Sequence, residues 1–270
     1  MIGTETPSIR INGERLDLIL ERIEDQRHVT VRDLAKATGV SEATIRRDLK
    51  QLSDRQLIEL VYGGATSARK SDQSLQARGQ RNTEAKQIIG ELAGALVKDH
   101  DMLFVDAGTT CFEMRHALKQ RRGLTLLVNS TRLAIEMGSS SDCNLILLAG
   151  QYRPDRMDTV GPLADQTVEQ LRGYSCFLGA DGLSQDFGVS ANEMQTAYLY
   201  QHLIKNAKET ILLADHSKFG VPSLFRIGGF EAVSKVVTDR DPGQDWQTFF
   251  NDLGIALVTP DSIQEPKPQG

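Results

Sequence analysis

The chain has 270 residues, 31 Lys+Arg against 36 Asp+Glu, and a formal net charge of -5 at pH 7. That length suits one or two domains with a substantial core, and the acidic balance excludes a polycationic nucleic-acid coat while allowing one small basic surface. No run of about 18 apolar residues occurs, Met1 to Asn12 has neither the basic start nor the apolar stretch of a secretory leader, and Cys111, Cys143 and Cys176 are far apart with no CxxC pair, so a membrane span, a disulfide framework and a zinc site are not expected.

The five histidines are scattered without ligand spacing, and neither a metal nor a cofactor is expected; the protein should be soluble and cytoplasmic. Charge is unevenly divided. Residues 1–82 hold 14 Lys+Arg against 12 Asp+Glu, which leaves 17 against 24 in the rest, so the acidic balance belongs to the second part.

Residues 1–12 read as a flexible lead. "GERLDLILERIEDQRH" then places Leu16, Ile19, Leu20 and Ile23 at helical spacing. "TVRDLAKATG" has Thr30 as a cap, Asp33 in the first turn, and Leu34 and Ala35 inward. In "GVSEATIRRDLKQL", Gly39 makes a tight turn, Ser41 caps a third helix, and Ile45, Leu49 and Leu52 form its inward stripe. Arg46, Arg47, Lys50, Thr44 and Gln51 point away from that stripe, and Glu42 and Asp48 project to its flanks. A solvated helix would also carry such an arginine pair. The two preceding helices and the glycine turn decide the matter, because together they make a helix-turn-helix whose second helix enters the major groove. Ser41, Glu42, Thr44, Arg46, Arg47 and Lys50 are the candidate DNA-contacting positions. "LIELVYGGA" next alternates Ile58, Leu60 and Tyr62 against Glu59 and Val61 before a double glycine, which reads as a β-wing.

The ordered run "VTVRDLAKATGVSEATIRRDLKQL" followed by "GGA" resembles the N-terminal domain of the DeoR family of bacterial sugar-catabolism regulators. The family commonly has glycine where Gln56 stands, and Arg and His where Leu60 and Tyr62 stand, so the wing departs from its pattern. The resemblance implies a winged helix-turn-helix domain over residues 13–65 and double-stranded operator DNA as a partner.

Residues 66–82 are polar and without period, and read as a linker. Beyond residue 83 short apolar runs alternate with helical stretches: "MLFVDAG", "LTLLVNS", "NLILLAG", "CFLGADG", "TILLADH", "KVVTD" and "IALVTP". Near-continuous hydrophobic strands between helices mean a mostly parallel, helix-covered sheet, and this α/β domain is expected over residues 83–262 with a flexible tail over 263–270. Helices are expected over 84–98, 110–119, 130–138, 163–172 and 192–207.

Five strands end in small or polar residues: "DAGTT" (106–110), "NST" (129–131), "AGQYR" (149–153), "GADG" (179–182) and "DHSK" (215–218). In open α/β sheets ligands collect outside the carboxyl ends of strands, so the five loops should converge. Gly108 allows close backbone approach, Thr109 and Thr110 offer hydroxyls at a helix start that attracts an anion, Asp106 and Asp181 can accept from sugar hydroxyls, and Lys218 can pair with a phosphate or carboxylate.

The family resemblance continues through "FVDAGTT", "VNS", "FLGADG" and "LADHSKFG", which look like stations of the DeoR effector domain, itself similar to ribose-5-phosphate isomerase. It implies effector contacts from Asp106, Gly108, Thr109, Thr110, Asn129, Ser130, Gly179, Asp181 and Lys218, and Arg153 in "AGQYR" joins this set. Two departures occur: Ala149 stands where a glycine is usual, and His216 where a serine is common. A repressor released from DNA by an anionic sugar is the implied function. The competing reading is a sugar-phosphate isomerase with an accessory DNA-binding domain, but the isomerases carry an extra acid in a "GADE"-like turn where this chain has Gly182. Two-fold operators favour a homo-oligomer, a dimer or tetramer.

Overall fold

The computed structural model describes residues 15, 16, 18–20, 22–23, 28–55, 57–61, 63–67, 75–139 and 142–263. They fall into two compact units, Met1–Arg78 and Gly79–Gly270. The expected flexible lead over 1–12, Gln56, Tyr62, much of the expected linker and nearly all of the expected tail lie outside the described residues.

In the first unit the described residues between 15 and 23 are helical and bury Leu16, Ile19 and Ile23. Strand β1 (His28–Thr30) leads into helix α1 (Val31–Thr38). Thr30 caps α1 by accepting the Asp33 N–H at 3.1 Å. Gly39 closes it in the left-handed conformation, φ 70°, which a glycine adopts without steric cost. Helix α2 (Glu42–Asp54) starts at Ser41, whose hydroxyl accepts the Thr44 N–H. Strands β2 (Ile58–Val61) and β3 (Gly64–Ser67) form an antiparallel hairpin, and β1 pairs with β3. A side chain at Gly64 would meet the Val29 carbonyl at 2.1 Å, so this glycine is what lets β3 lie against β1.

Ile45, Leu49 and Leu52 close the small core with Leu34, Ile58 and Ala65. The alternation expected of the wing is only half realised. Ile58 is buried, but Leu60 is 51% exposed and Val61 39%, so neither face of the strand's far end is covered by the described residues.

Helix α3 (Leu75–Gln80) spans the boundary between the units and α4 (Thr83–Ala95) follows it in the second, so part of the stretch that reads as linker is helical. All seven apolar runs become strands of one sheet: β4 (Met102–Val105), β5 (Leu124–Val128), β6 (Cys143–Leu147), β9 (Ser175–Gly179), β12 (Glu209–Leu213), β14 (Lys235–Val237) and β15 (Ala256–Val258). Their order is β15-β14-β12-β9-β4-β5-β6, and every neighbouring pair is parallel.

Successive residues point to opposite faces. Phe104, Cys176, Leu178, Leu212 and Val236 meet α8 (Pro162–Glu169), α9 (Met194–Asn206) and α10 (Gln244–Asp252) on one side. Leu103, Val105, Phe177, Ile211 and Val237 meet α4, α5 (Thr109–Phe112), α6 (Arg115–Leu118) and α7 (Thr131–Gly138) on the other. Burial on both faces is why the strands read as unbroken apolar runs.

Expected helices 84–98, 130–138, 163–172 and 192–207 appear as α4, α7, α8 and α9, whereas 110–119 divides into α5 and α6. Two small antiparallel sheets escaped the sequence reading: β7 (Gln151–Arg153) with β8 (Asp158–Val160), and β10 (Gly182–Ser184) with β11 (Gly188–Ala191) and β13 (Phe225–Gly228). Three- and four-residue strands are too short to show a period.

From β4 the chain builds outward through β5 and β6, then returns to lay β9 against the other side of β4 and continues through β12 to β15. The order reverses between β4 and β9. A topological switch point of this kind opens a ligand crevice at the carboxyl ends of the strands.

Candidate functional sites: the second helix and the carboxyl end of the sheet

On α2 the side chains of Arg46, Arg47 and Lys50 are exposed. Two of the acids of this helix, Glu42 and Asp48, differ in fate. Glu42 makes an exposed i,i+4 pair with Arg46 at 3.3 Å, the kind that contributes little in water. Asp48, placed by its helical phase at the flank of the stripe, is buried and takes both oxygens to Arg15, at 2.7 and 3.1 Å. That hydrogen bond, more than burial opposes it, holds the Arg15 guanidinium above its usual pKa. The central acid is thereby neutralised internally, and over residues 42–50 the outward surface carries three cations and one peripheral carboxylate, with Asp54 exposed at the last turn. Thr44 is half-buried, its hydroxyl 3.0 Å from that of Ser41, so both serve the helix start as well as its surface.

At the sheet, the loop after β4 is organised by Asp106, whose Oδ2 accepts the Gly108 N–H at 2.8 Å. A β-carbon on Gly108 would come within 2.6 Å of that oxygen and push it aside, so the glycine answers to the carboxylate rather than to a positive φ. Tyr200 of α9 hydrogen-bonds Asp106; burial first, then the Asp106 charge, pushes its hydroxyl pKa well up and keeps it a neutral donor. The end of β9 lies alongside, with Asp106 Oδ2 at 3.4 Å from the β-carbon position of Gly179. Asn129, fully buried after β5, accepts the Ala107 N–H at 3.1 Å. Asp106, Gly108, Asn129 and Gly179 are therefore brought together at the switch point, and of the two threonines that follow Gly108, Thr109 is buried and Thr110 half-buried.

Other candidates are engaged differently. Ser130 caps α7 by accepting the Leu133 N–H. Asp181 holds the Asn192 N–H at 2.9 Å. Arg153 binds Asp158 through Nε and Nη2 at 2.8 and 2.6 Å and also pairs with Glu193, so its cation is matched within the fold. Lys218 sits in a 3-10 turn capped by Asp215, half-buried, and its amine makes no hydrogen bond or ion pair among the described residues.

His216 is gripped twice by Asp239, N–H to Oδ1 at 2.8 Å and Nδ1 to Oδ2 at 2.9 Å. Burial pushes the Asp239 pKa up, but the His216 N–H, Arg240 and the His216 ring outweigh it and hold the carboxyl below its usual value. Because α5 and α6 are single turns, the helix start after Gly108 lacks the long dipole that the sequence reading gave it, and loop N–H groups are what remains. At Gly182 a β-carbon would meet the Val221 carbonyl at 2.1 Å, so the turn leaves no space for the acid of a "GADE"-like sequence.

Sequence reasoning missed Tyr200, Asn192, Arg156 and Glu193. Only Tyr200 had a signal: it shares the inward stripe of α9 with Ala197 and Leu203, and a buried tyrosine needs an acceptor. Among the described residues no helix is long and apolar enough to cross a membrane, and no cluster of three metal-ligating side chains occurs.

Residues 15–71 match the DeoR-like helix-turn-helix domain, and residues 81–240 match the DeoR C terminal sensor domain. The chain belongs to the DeoR family. Relatives of the chain include the HTH-type transcriptional regulator GlpR of Haloferax volcanii, 30% identical over 91% of this chain and 97% of that one. The glycerol-3-phosphate regulon repressor of Escherichia coli is 28% identical over 90% of this chain and 97% of the repressor. Ribose 5 phosphate isomerase A of Neisseria gonorrhoeae superposes with a TM-score of 0.36 at 16% identity, over 52% of this chain and 54% of the isomerase, a likeness too slight to bear on activity. This DeoR-family chain is a DNA-binding transcriptional regulator with a sugar-sensing domain.

Proposed function

We propose that the protein represses a carbohydrate-catabolism operon and leaves its operator when a phosphorylated or otherwise anionic sugar binds at the sheet's carboxyl end. Residues 13–65 bind DNA through Arg46, Arg47 and Lys50, with Ser41, Glu42 and Thr44 at the helix start; residues 83–262 bind the effector as a domain of a homo-oligomer matched to a two-fold operator.

The observation that carries the reading is the meeting of Asp106, Gly108, Asn129 and Gly179 at the β4–β9 switch point, with the unmatched Lys218 amine on the turn after β12, the strand next to β9. Hydroxyl acceptors beside a cation suit a sugar bearing an anionic group. The glycerol-3-phosphate regulon repressor among the relatives is named for such a compound. A gel-shift assay of the full chain on its operator, with a panel of phosphorylated and unphosphorylated sugars, tests the proposal. Release by a phosphorylated member alone is the expected result; release by none, or by neutral sugars equally well, removes it.

A further inference from the structure

Four charged groups meet where the β7–β8 hairpin approaches the start of α9: Arg153, Arg156, Asp158 and Glu193. The two arginines end up unlike one another. The side-on edge of Arg153, Nε with Nη2, is filled by the two oxygens of Asp158. The same edge of Arg156 is not filled in this way. Its residue is only 6% exposed, and neither Nε nor Nη2 makes a hydrogen bond among the described residues. Nη2 lies 2.9 Å from Glu193 Oε1, an ionic contact but out of line for a hydrogen bond, and the other oxygen of that carboxylate is drawn to Arg153.

A buried guanidinium with two parallel N–H groups unsatisfied is costly, and its planar edge matches two oxygens of one oxyanion. The hairpin turn holds the group in place. Met157 takes a left-handed φ of 52°, and its carbonyl accepts from both the N–H and the hydroxyl of Thr131 at 2.8 and 2.9 Å, tying the turn to the loop after β5. On the other side Glu193 follows Asn192, whose N–H is held by Asp181 after β9. Arg156 is thus suspended between the loops that flank β4 in the sheet.

We propose that Arg156 anchors the phosphate monoester of the effector through Nε and Nη2, with Glu193 as its counter-ion in the unliganded state. The assignment rests on the effector reading above and names the group that reads its anionic end. Arg153 only holds the hairpin.

Inorganic phosphate and glycerol 3-phosphate are titrated into the full chain by calorimetry, against chloride at matched ionic strength, with circular dichroism to verify the fold of each variant. Wild type binds both phosphates and ignores chloride. Arg156→Lys, which keeps the charge and loses the fork, weakens binding by about tenfold or more, the range for a charge-assisted hydrogen bond. Glu193→Gln, which leaves Arg156 in place and removes its competitor, tightens phosphate; a merely structural Arg156 would not respond so. If Arg156→Lys and Arg156→Gln fold and bind as wild type does, or if Glu193→Gln weakens phosphate, the anchor is overturned while the anionic-sugar reading stands. If wild type binds neither phosphate nor any of a panel of phosphorylated sugars, that reading falls with it.

Discussion

Ile45 and Arg46 are neighbours in sequence and opposites in exposure, and their replacements should separate folding from recognition. Ile45 is fully buried, so Ile45→Ala should lose about 2–5 kcal/mol in the melting of the first unit. Arg46→Ala and Arg47→Ala should leave melting unchanged and weaken operator binding. A phosphate contact lowers the salt slope by about one and weakens all sequences alike, whereas a base contact relaxes one position by about 1–3 kcal/mol. Unchanged affinity in both variants would mean that another face meets DNA. Phase along α2 was legible because it needs only residues a few apart. The partner of Asp48 was not, since Arg15 is 33 positions away and nothing in either local pattern names the other. Asp48→Asn should therefore cost about 1.5–3 kcal/mol, the range for hydrogen bonds to charged groups, and chemical denaturation checks it.

Elements differ in how far sequence reveals them. The seven parallel strands were legible because burial on both faces leaves an apolar run that few other structures produce. The β7–β8 hairpin and the division between α5 and α6 were not, because each depends on what packs over it. The loop after β4 shows both sides. "DAGTT" drew attention to Gly108, but the reason for the glycine lies in the Asp106 carboxylate folded onto its N–H. Gly108→Ala drives a methyl group into that oxygen and should displace it, destabilising the second unit by about 1–3 kcal/mol, as for overpacking. Tyr200→Phe, which takes one buried donor from Asp106, should destabilise by a similar amount, and both can be read by urea unfolding. If Tyr200→Phe is neutral, the tyrosine does not hold the loop.

For the whole molecule, acid acts at both ends of the sheet, at Asp239 after β14 and at Glu209 where β12 begins. Asp239 and Glu209 both have folded pKa values below their usual ones, Asp239 because its partners overcome burial and Glu209 first through Lys235. A depressed carboxyl contributes stability that is present above its unfolded pKa, about 4, and lost as pH falls through the lower folded value, so unfolding free energy should decline below about pH 4 and Asp239→Asn should flatten that decline. Effector and operator are linked in a second way. If the crevice reads an anionic sugar, Lys218→Ala removes an unmatched cation and Asp181→Asn an ionised acceptor, each costing roughly 1.5–3 kcal/mol of effector affinity, or about tenfold to a hundredfold. Both residues belong to the second compact unit and Arg46 to the first, so operator affinity without effector should hardly change. The cellular result is a regulator that still occupies DNA and no longer responds. By reciprocity, any ligand that releases the wild type must bind the DNA-free form more tightly by the same factor by which it weakens DNA. Titrating effector into each variant with and without operator measures both quantities. Unchanged effector binding in both variants would remove Lys218 and Asp181 from the site, and loss of operator binding in the absence of effector would make them supports of the fold instead.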